Sequence, residues 1–243
     1  MVRVIAFDVF GTVVDWHGSI ARHVDGLGLG VDGSAFATAW RAGYAPAMDE
    51  VRSGVLGWTR IDDLHRRILD RILGEFGIEL AEAQRRALNT IWHRLDPWPD
   101  SVPGLTRLKR DYTICTLSNG NIALLTAMAK HAGLPWDCVL SAENFRHYKP
   151  DRETYLGVCD VFAIAPEQML MVAAHQSDLH AARACGCRTA FVERPFEYGS
   201  DPAARARKDL TRDPSFDHHA RDLLDLADQL LPDPAARPGR SRP

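Results

Sequence analysis

Five short apolar runs, each closing on polar or acidic residues, constrain this chain more than any other feature. Residues 2–7 end at Asp8, and residues 112–117 end at Ser118-Asn119-Gly120. Residues 138–140 end at Ser141-Ala142-Glu143, 169–173 end near His175 and Asp178, and 188–192 end at Glu193. Runs this short, this apolar and this rich in β-branched residues read as strands buried on both faces. Stretches with helical periodicity lie between them, over residues 123–132, 152–161 and 179–185. The alternation predicts an α/β fold, a parallel sheet with helices on both faces. Ligands of such sheets bind beyond the carboxyl ends of the strands. The polar residues fall at those ends, so four sequence-distant segments are expected to meet there.

One interval breaks the alternation. Between residues 15 and 99 no buried strand is evident, and 61–76 and 81–95 carry apolar residues at helical spacing. Leu64, Ile68, Leu69, Ile72, Leu73 and Phe76 would form one stripe. This predicts a helical insertion (15–99) after the first strand, with a core domain formed by 1–14 and 100–231. Pro97, Pro99, Pro103 and Gly104 mark the return to the core. Trp16, Trp40, Trp58, Trp92 and Trp98 lie in or beside the insertion. Packing accounts for most of them, and pocket lining is the alternative. The Pro-, Arg-, Ser- and Gly-rich residues 232–243 are expected to be a disordered tail.

With 46% hydrophobic residues, 25% charged residues and a formal net charge of −3, the chain can bury a sizeable core. It has no global basic field to attract nucleic acid or an anionic membrane. Five cysteines, an odd number without dense spacing, argue against a disulfide scaffold. Cys185-Gly186-Cys187 lacks the second pair that a four-ligand metal site needs. No signal segment and no apolar run of about 20 residues is present, so a cytoplasmic protein is expected. A homodimer is left open.

Asp8 is the residue with the most chemical consequence. It closes an apolar strand, where an acid is costly unless paired, and Lys149 is a natural partner. A carboxylate held by a lysine and backbone donors stays ionised at neutral pH and can attack carbon or phosphorus. The plainer reading is a helix-capping or turn aspartate, and Gly11 and Thr12 would suit a tight turn there.

Taken in order and spacing, Asp8-Val9-Phe10-Gly11-Thr12, Ser118-Asn119, Lys149-Pro150 and Asp178 resemble the haloacid dehalogenase superfamily. The resemblance runs from about residue 4 to residue 199. It implies a Rossmann-like core with a cap built from the insertion. Most of that superfamily are magnesium-dependent phosphatases. They carry a second aspartate two residues after the nucleophile and an acidic metal ligand four residues before the last aspartate. Here those positions are Phe10 and Ala174. A halide leaving group needs no proton, and an anionic carboxylate nucleophile needs no metal.

Within the superfamily the chain resembles the L-2-haloacid dehalogenases. The resemblance implies a hydrolase of the carbon–halide bond that turns 2-haloalkanoic acids, as the L enantiomer, into 2-hydroxy acids through an Asp8 ester, with no metal or cofactor. Thr12, Ser118 and Lys149 match positions that hold the carboxylates, and Arg41 and Asn119 match the halide side. Phe10 is placed with them in the substrate pocket, and Tyr155 matches a tyrosine near the substrate. Asp178 matches a residue that activates the hydrolytic water, and as a plainer alternative it would cap a helix starting at Leu179. One departure stands out: a Ser-Ser-Asn run is replaced by Ala173-Ala174-His175. His175 is expected to orient or deprotonate the water, or to reshape the halide pocket. The alternatives are a phosphatase or other hydrolase on the same scaffold, and a non-catalytic binding protein.

Overall fold

The computed structural model describes residues 1–231; the tail from 232, expected to be disordered, lies outside the described residues. The parallel sheet is built from β1 (Val4–Phe7), β4 (Thr113–Ser118), β5 (Cys138–Ser141), β6 (Met169–Ala173), β7 (Arg188–Val192) and β8 (His218–Ala220). Among the described residues the strand order is β5-β4-β1-β6-β7-β8. All five pairings are parallel, with Phe7 level with Thr116 on one side and Val172 on the other. The five apolar runs are therefore strands. The sixth, β8, was not anticipated, because His218-His219-Ala220 carries no apolar run.

Period-2 alternation divides each strand between two layers. Ile5 and Phe7 join one core and Val4 and Ala6 the other. The first core is closed by α6 (Ser101–Leu108), α7 (Ile122–Ala132) and α12 (Leu223–Leu230), through Leu105, Leu125 and Leu226. The second is closed by α9 (Arg152–Phe162) and α10 (Gln176–Ala184), through Tyr155, Val158 and Leu179. Two short helices, α8 (Ala142–Phe145) and α11 (Pro202–Ala206), sit in the connections. The chain leaves β1 for β4 on one side and later crosses to β6 on the other. The direction of winding thus reverses at β1, which opens a crevice at its carboxyl end.

Residues between β1 and α6 are helical, as expected: α1 (Trp16–Gly26), α2 (Gly33–Ala42), α3 (Tyr44–Arg52), α4 (Ile61–Glu75) and α5 (Glu82–Asn89). Asp15 caps α1 by accepting Gly18 N at 2.8 Å, and Asp32 caps α2 by accepting Ala35 N at 2.7 Å. On α4 the stripe Leu64, Ile68, Leu69, Ile72 and Leu73 is buried, and Phe76 beyond its end is half-buried. The helix expected over 81–95 is shorter. It gives way at Thr90–Arg94 to a 3-10 turn, where Thr90 Oγ1 donates to Ala87 O at 2.7 Å and competes with the helical ladder. Entry and exit of the insertion are pinned by an antiparallel pair, β2 (Val14–Asp15) with β3 (Asp96–Pro97). No helix among the described residues is long and apolar enough to cross a membrane.

Candidate active site

The carboxyl end of β1 delivers Asp8 into the crevice. Its backbone N–H continues the ladder by donating to Val172 O at 2.9 Å. A tight turn follows, in which Val13 N and Val14 N both donate to Val9 O. Gly11 takes φ +82° there, a left-handed conformation that favours glycine. The turn folds Thr12 back so that its Oγ1 donates to Asp8 Oδ2 at 2.7 Å while accepting Ala174 N at 2.9 Å. Behind it, Arg194 donates to Thr12 O at 2.8 Å and grips Asp100 with two bonds of 2.8 and 2.7 Å.

Lys149 stands between two carboxylates. Its Nζ donates to Asp8 Oδ1 at 2.9 Å and to Asp178 Oδ2 at 2.5 Å. Tyr155 donates to Asp178 Oδ1 at 2.5 Å. All four side chains are buried. Burial by itself would raise the pKa of Asp8, but Lys149 and then His175 outweigh it and hold the carboxyl far below the usual range. Burial likewise disfavours the Lys149 cation, and Asp178 and Asp8 more than reverse that. Asp8 is thus an ionised carboxylate in a site largely shielded from water, the condition for nucleophilic attack.

A cavity of about 190 Å³ opens above Asp8. That lies below the range of about 300–1,000 Å³ typical of drug-sized pockets, and it suits a short acid. Phe10, Ala45 and Met48 supply apolar wall; Arg41, from the last turn of α2, and Asn119 supply polar wall. The Arg41 guanidinium lies 4.2 Å from the Tyr44 ring centroid. Asn119 accepts Lys149 N at 2.7 Å through Oδ1 and points Nδ2 to Met48 Sδ at 3.3 Å.

The structure brings Asp8, Phe10, Arg41, Asn119, Lys149, His175 and Asp178 to this cavity. Thr12, Ser118 and Tyr155 lie behind its wall. Ser118 is fully buried and accepts Gly120 N at 3.1 Å, with no bond to Asp8. Tyr155 reaches the site only through Asp178. Asp178 is not a helix cap: α10 begins at Gln176 with His175 in the cap position, and the Asp178 carboxyl is taken by Lys149 and Tyr155. None of the tryptophans lines the cavity. Trp16, Trp40 and Trp92 are fully buried, and Trp98 donates to Gly11 O at 3.1 Å. No group of three His, Cys, Asp or Glu side chains suited to holding a metal occurs among the described residues.

His175 is tied on both sides. Its Nδ1 lies 3.2 Å from Asp8 Oδ2 and its Nε2 lies 2.9 Å from Glu197 Oε1. Glu197, only 1% exposed, also accepts Trp16 Nε1 at 3.1 Å and a short bond from Lys208 Nζ. Glu197, Lys208 and Arg194 were missed in the sequence. They follow β7 in a segment without periodicity, and the one signal toward Glu197 and Lys208 was His175, which stands where the resemblance expects an amide.

Gly11 is fixed by the same cluster: a Cβ there would come within 2.3 Å of Glu197 Oε1. Gly11→Ala is therefore expected to destabilise the fold by about 1–3 kcal/mol through its left-handed backbone alone. It should lower activity as well, because Glu197 must move. Urea unfolding of the variant checks the first effect, and an unchanged midpoint would contradict it.

A family model described as haloacid dehalogenase-like hydrolase matches residues 2–186. The chain is 28% identical over 214 residues to (S)-2-haloacid dehalogenase 4A of Burkholderia cepacia, covering 82% of this chain and 88% of that protein. It superposes on the crystal structure of an L-2-haloacid dehalogenase with TM-score 0.90 and 46% identity, covering 95% of this chain and 100% of the other. The crystal structure of a defluorinating L-2-haloacid dehalogenase gives TM-score 0.89 and 44% identity, covering 94% and 95%.

Proposed function

The chain belongs to the haloacid dehalogenase-like hydrolases, and from that premise we propose that it hydrolyses the carbon–halogen bond of short L-2-haloalkanoic acids, giving 2-hydroxy acids. The observation that carries the reading is the buried, ionised Asp8 held by Lys149 at 2.9 Å at the floor of a small cavity. Asp8 attacks C2 and the halide leaves with the bonding electrons. An Asp8 ester results, and water then hydrolyses it. Arg41 faces the substrate as a cation able to meet halide or carboxylate, with Asn119 beside it. Phe10 supplies an apolar wall where a phosphatase would need a proton donor.

Lys149 Nζ, within 2.9 Å of both carboxylates, supplies the positive charge between Asp8 and Asp178, and Ala174 offers no ligand. These residues suit a reaction without a metal. Residues 15–99 are read as a cap over the core of 1–14 and 100–231; α2 and α3 supply Arg41, Ala45 and Met48 to the cavity. The five free cysteines suit a reducing, cytoplasmic setting.

The test is halide release from L- and D-2-chloropropionate, chloroacetate and fluoroacetate with EDTA present. Release from the L enantiomer that survives EDTA is the expected result. No release from any of them, with magnesium-dependent release of phosphate from esters, would replace this reading with a phosphatase.

A further inference from the structure

Six buried or half-buried groups form a chain of alternating charge through the site: Lys208, Glu197, His175, Asp8, Lys149 and Asp178. With His175 protonated the six charges sum to zero. A neutral imidazole would set one ring nitrogen lone pair against a carboxylate oxygen, at Asp8 or at Glu197. An imidazolium donates to both.

The two oxygens of Asp8 are not equivalent. Oδ2 receives two donors, Thr12 Oγ1 at 2.7 Å and His175 Nδ1 at 3.2 Å; Oδ1 receives only Lys149 Nζ at 2.9 Å. Oδ1 therefore keeps a free lone pair and is the oxygen that attacks. Oδ2 becomes the carbonyl oxygen of the ester, already facing two donors.

We propose that Glu197 is a positioning residue which, braced by Lys208 and Trp16, keeps His175 an imidazolium with its Nδ1–H on Asp8 Oδ2. His175 then stabilises negative charge on that oxygen during ester hydrolysis and does not take the proton from water. This rests on the ester mechanism above. Water adds to Asp8 Cγ, the carbonyl electron pair moves to Oδ2, and the water proton passes to Asp178. The Cγ–Oδ1 bond then breaks, the proton moves to Oδ1, and the 2-hydroxy acid leaves. The regenerated carboxyl releases its remaining proton to solvent. Donors placed where charge develops are worth about 10²–10³ in rate each.

In the free enzyme the groups facing His175 agree with this charge state, and once Asp8 is a neutral ester Glu197 remains as the negative neighbour in direct contact with the imidazole. Burial pushes the imidazole pKa down, but Glu197 and the bond to Asp8 outweigh it, with Lys208 opposing, and lift it to about 9. Burial would raise Glu197, and His175 and Lys208 bring it down to about 2. Asp178, on the same helix as His175, is engaged by Lys149 and Tyr155.

The experiment follows the decay of alkylated Asp8 by mass spectrometry across pH, with the His175 imidazole titrated by NMR, in wild type, Glu197→Gln, Glu197→Asp and Lys208→Met. Ester decay in wild type should fall as pH rises through the His175 titration, because the donor is lost. Glu197→Gln removes a negative neighbour, so the titration and the alkaline limb should move down by about one pH unit or more. Ester decay should slow by roughly 10–100-fold and the ester should accumulate. Lys208→Met removes a positive charge and should move both up, and Glu197→Asp should restore most of the wild-type profile. Should Glu197→Gln fail to fold, the Lys208→Met shift and the wild-type slope still decide the matter. Decay that speeds up through the His175 titration would make His175 a base and overturn the proposal, as would shifts in one direction or none. Absence of any alkylated Asp8 in wild type would instead fault the ester mechanism itself.

Discussion

Asp8→Asn is expected to lower halide release by about 10⁴-fold or more, the scale seen when a covalent nucleophile is removed. The amide oxygen can still accept from Thr12 Oγ1, so the turn has reason to survive. What disappears is the negative charge that the proposed reaction needs to attack carbon. The substitution also leaves the ion chain with a surplus positive charge, since Lys149 and His175 each lose a partner at 2.9 and 3.2 Å. Substrate binding should suffer less than turnover, because Arg41 and Asn119 line the cavity without bonding to Asp8. The measurement is halide release together with mass spectrometry of the quenched protein. Wild type should show the mass of one added carboxyalkyl group on the peptide that carries Asp8, and the variant should not. Release at near wild-type rate in the variant would place the nucleophile elsewhere.

Much of this site was legible because the fold repeats one device. Three of the apolar runs end, and the residues that follow line the cavity: Asp8 after β1, Asn119 after β4, His175 and Asp178 after β6. A parallel sheet turns that local pattern into convergence, since every strand points its carboxyl end the same way. The insertion was visible for the complementary reason, a long interval with period 3.6 and no buried apolar strand. Side-chain direction was not visible. Ser118 and Tyr155 fall at the expected places in sequence but bond to Gly120 N and to Asp178.

Glu197 and Lys208 were invisible for a different reason. They belong to irregular backbone between β7 and β8; Glu197 is bonded by His175 and Trp16, which reach it across 22 and 181 positions, and Lys208 is bonded to Glu197. Periodicity reports which face of an element is buried. It carries no information about a charge buried by partners so distant in sequence. The one clue was His175 itself, where a histidine replaces an amide and so calls for new partners.

Lys149→Met tests the other half of the ion chain and is expected to be nearly as damaging. Methionine fills the stem of the lysine but leaves Asp8 and Asp178 facing one another without the cation between them. Breaking a buried ion pair by removing one partner costs about 3–5 kcal/mol, and here one cation serves two carboxylates. The pH dependence separates charge from packing. In wild type Asp8 is depressed, so its contribution to stability is present above its unfolded value of about 3.9 and lost only as pH falls through the lower folded value. Lys149 is raised, so its contribution is present below its unfolded value of about 10.4 and lost as pH climbs through the higher folded value. Their joint contribution spans about pH 4 to pH 10. In the variant the two carboxylates repel, and one of them is pushed up to hold a proton. The stability difference should therefore be largest at neutral pH and shrink as pH falls toward 4, where the variant's carboxylates are neutralised at no cost. Residual activity should need a higher pH than in wild type, because Asp8 must first lose its proton. Urea unfolding at several pH values, with halide release over the same range, reads both. A stability gap that stays constant with pH would mean that Lys149 matters for its packing alone, and that the charge on Asp8 is maintained by other groups.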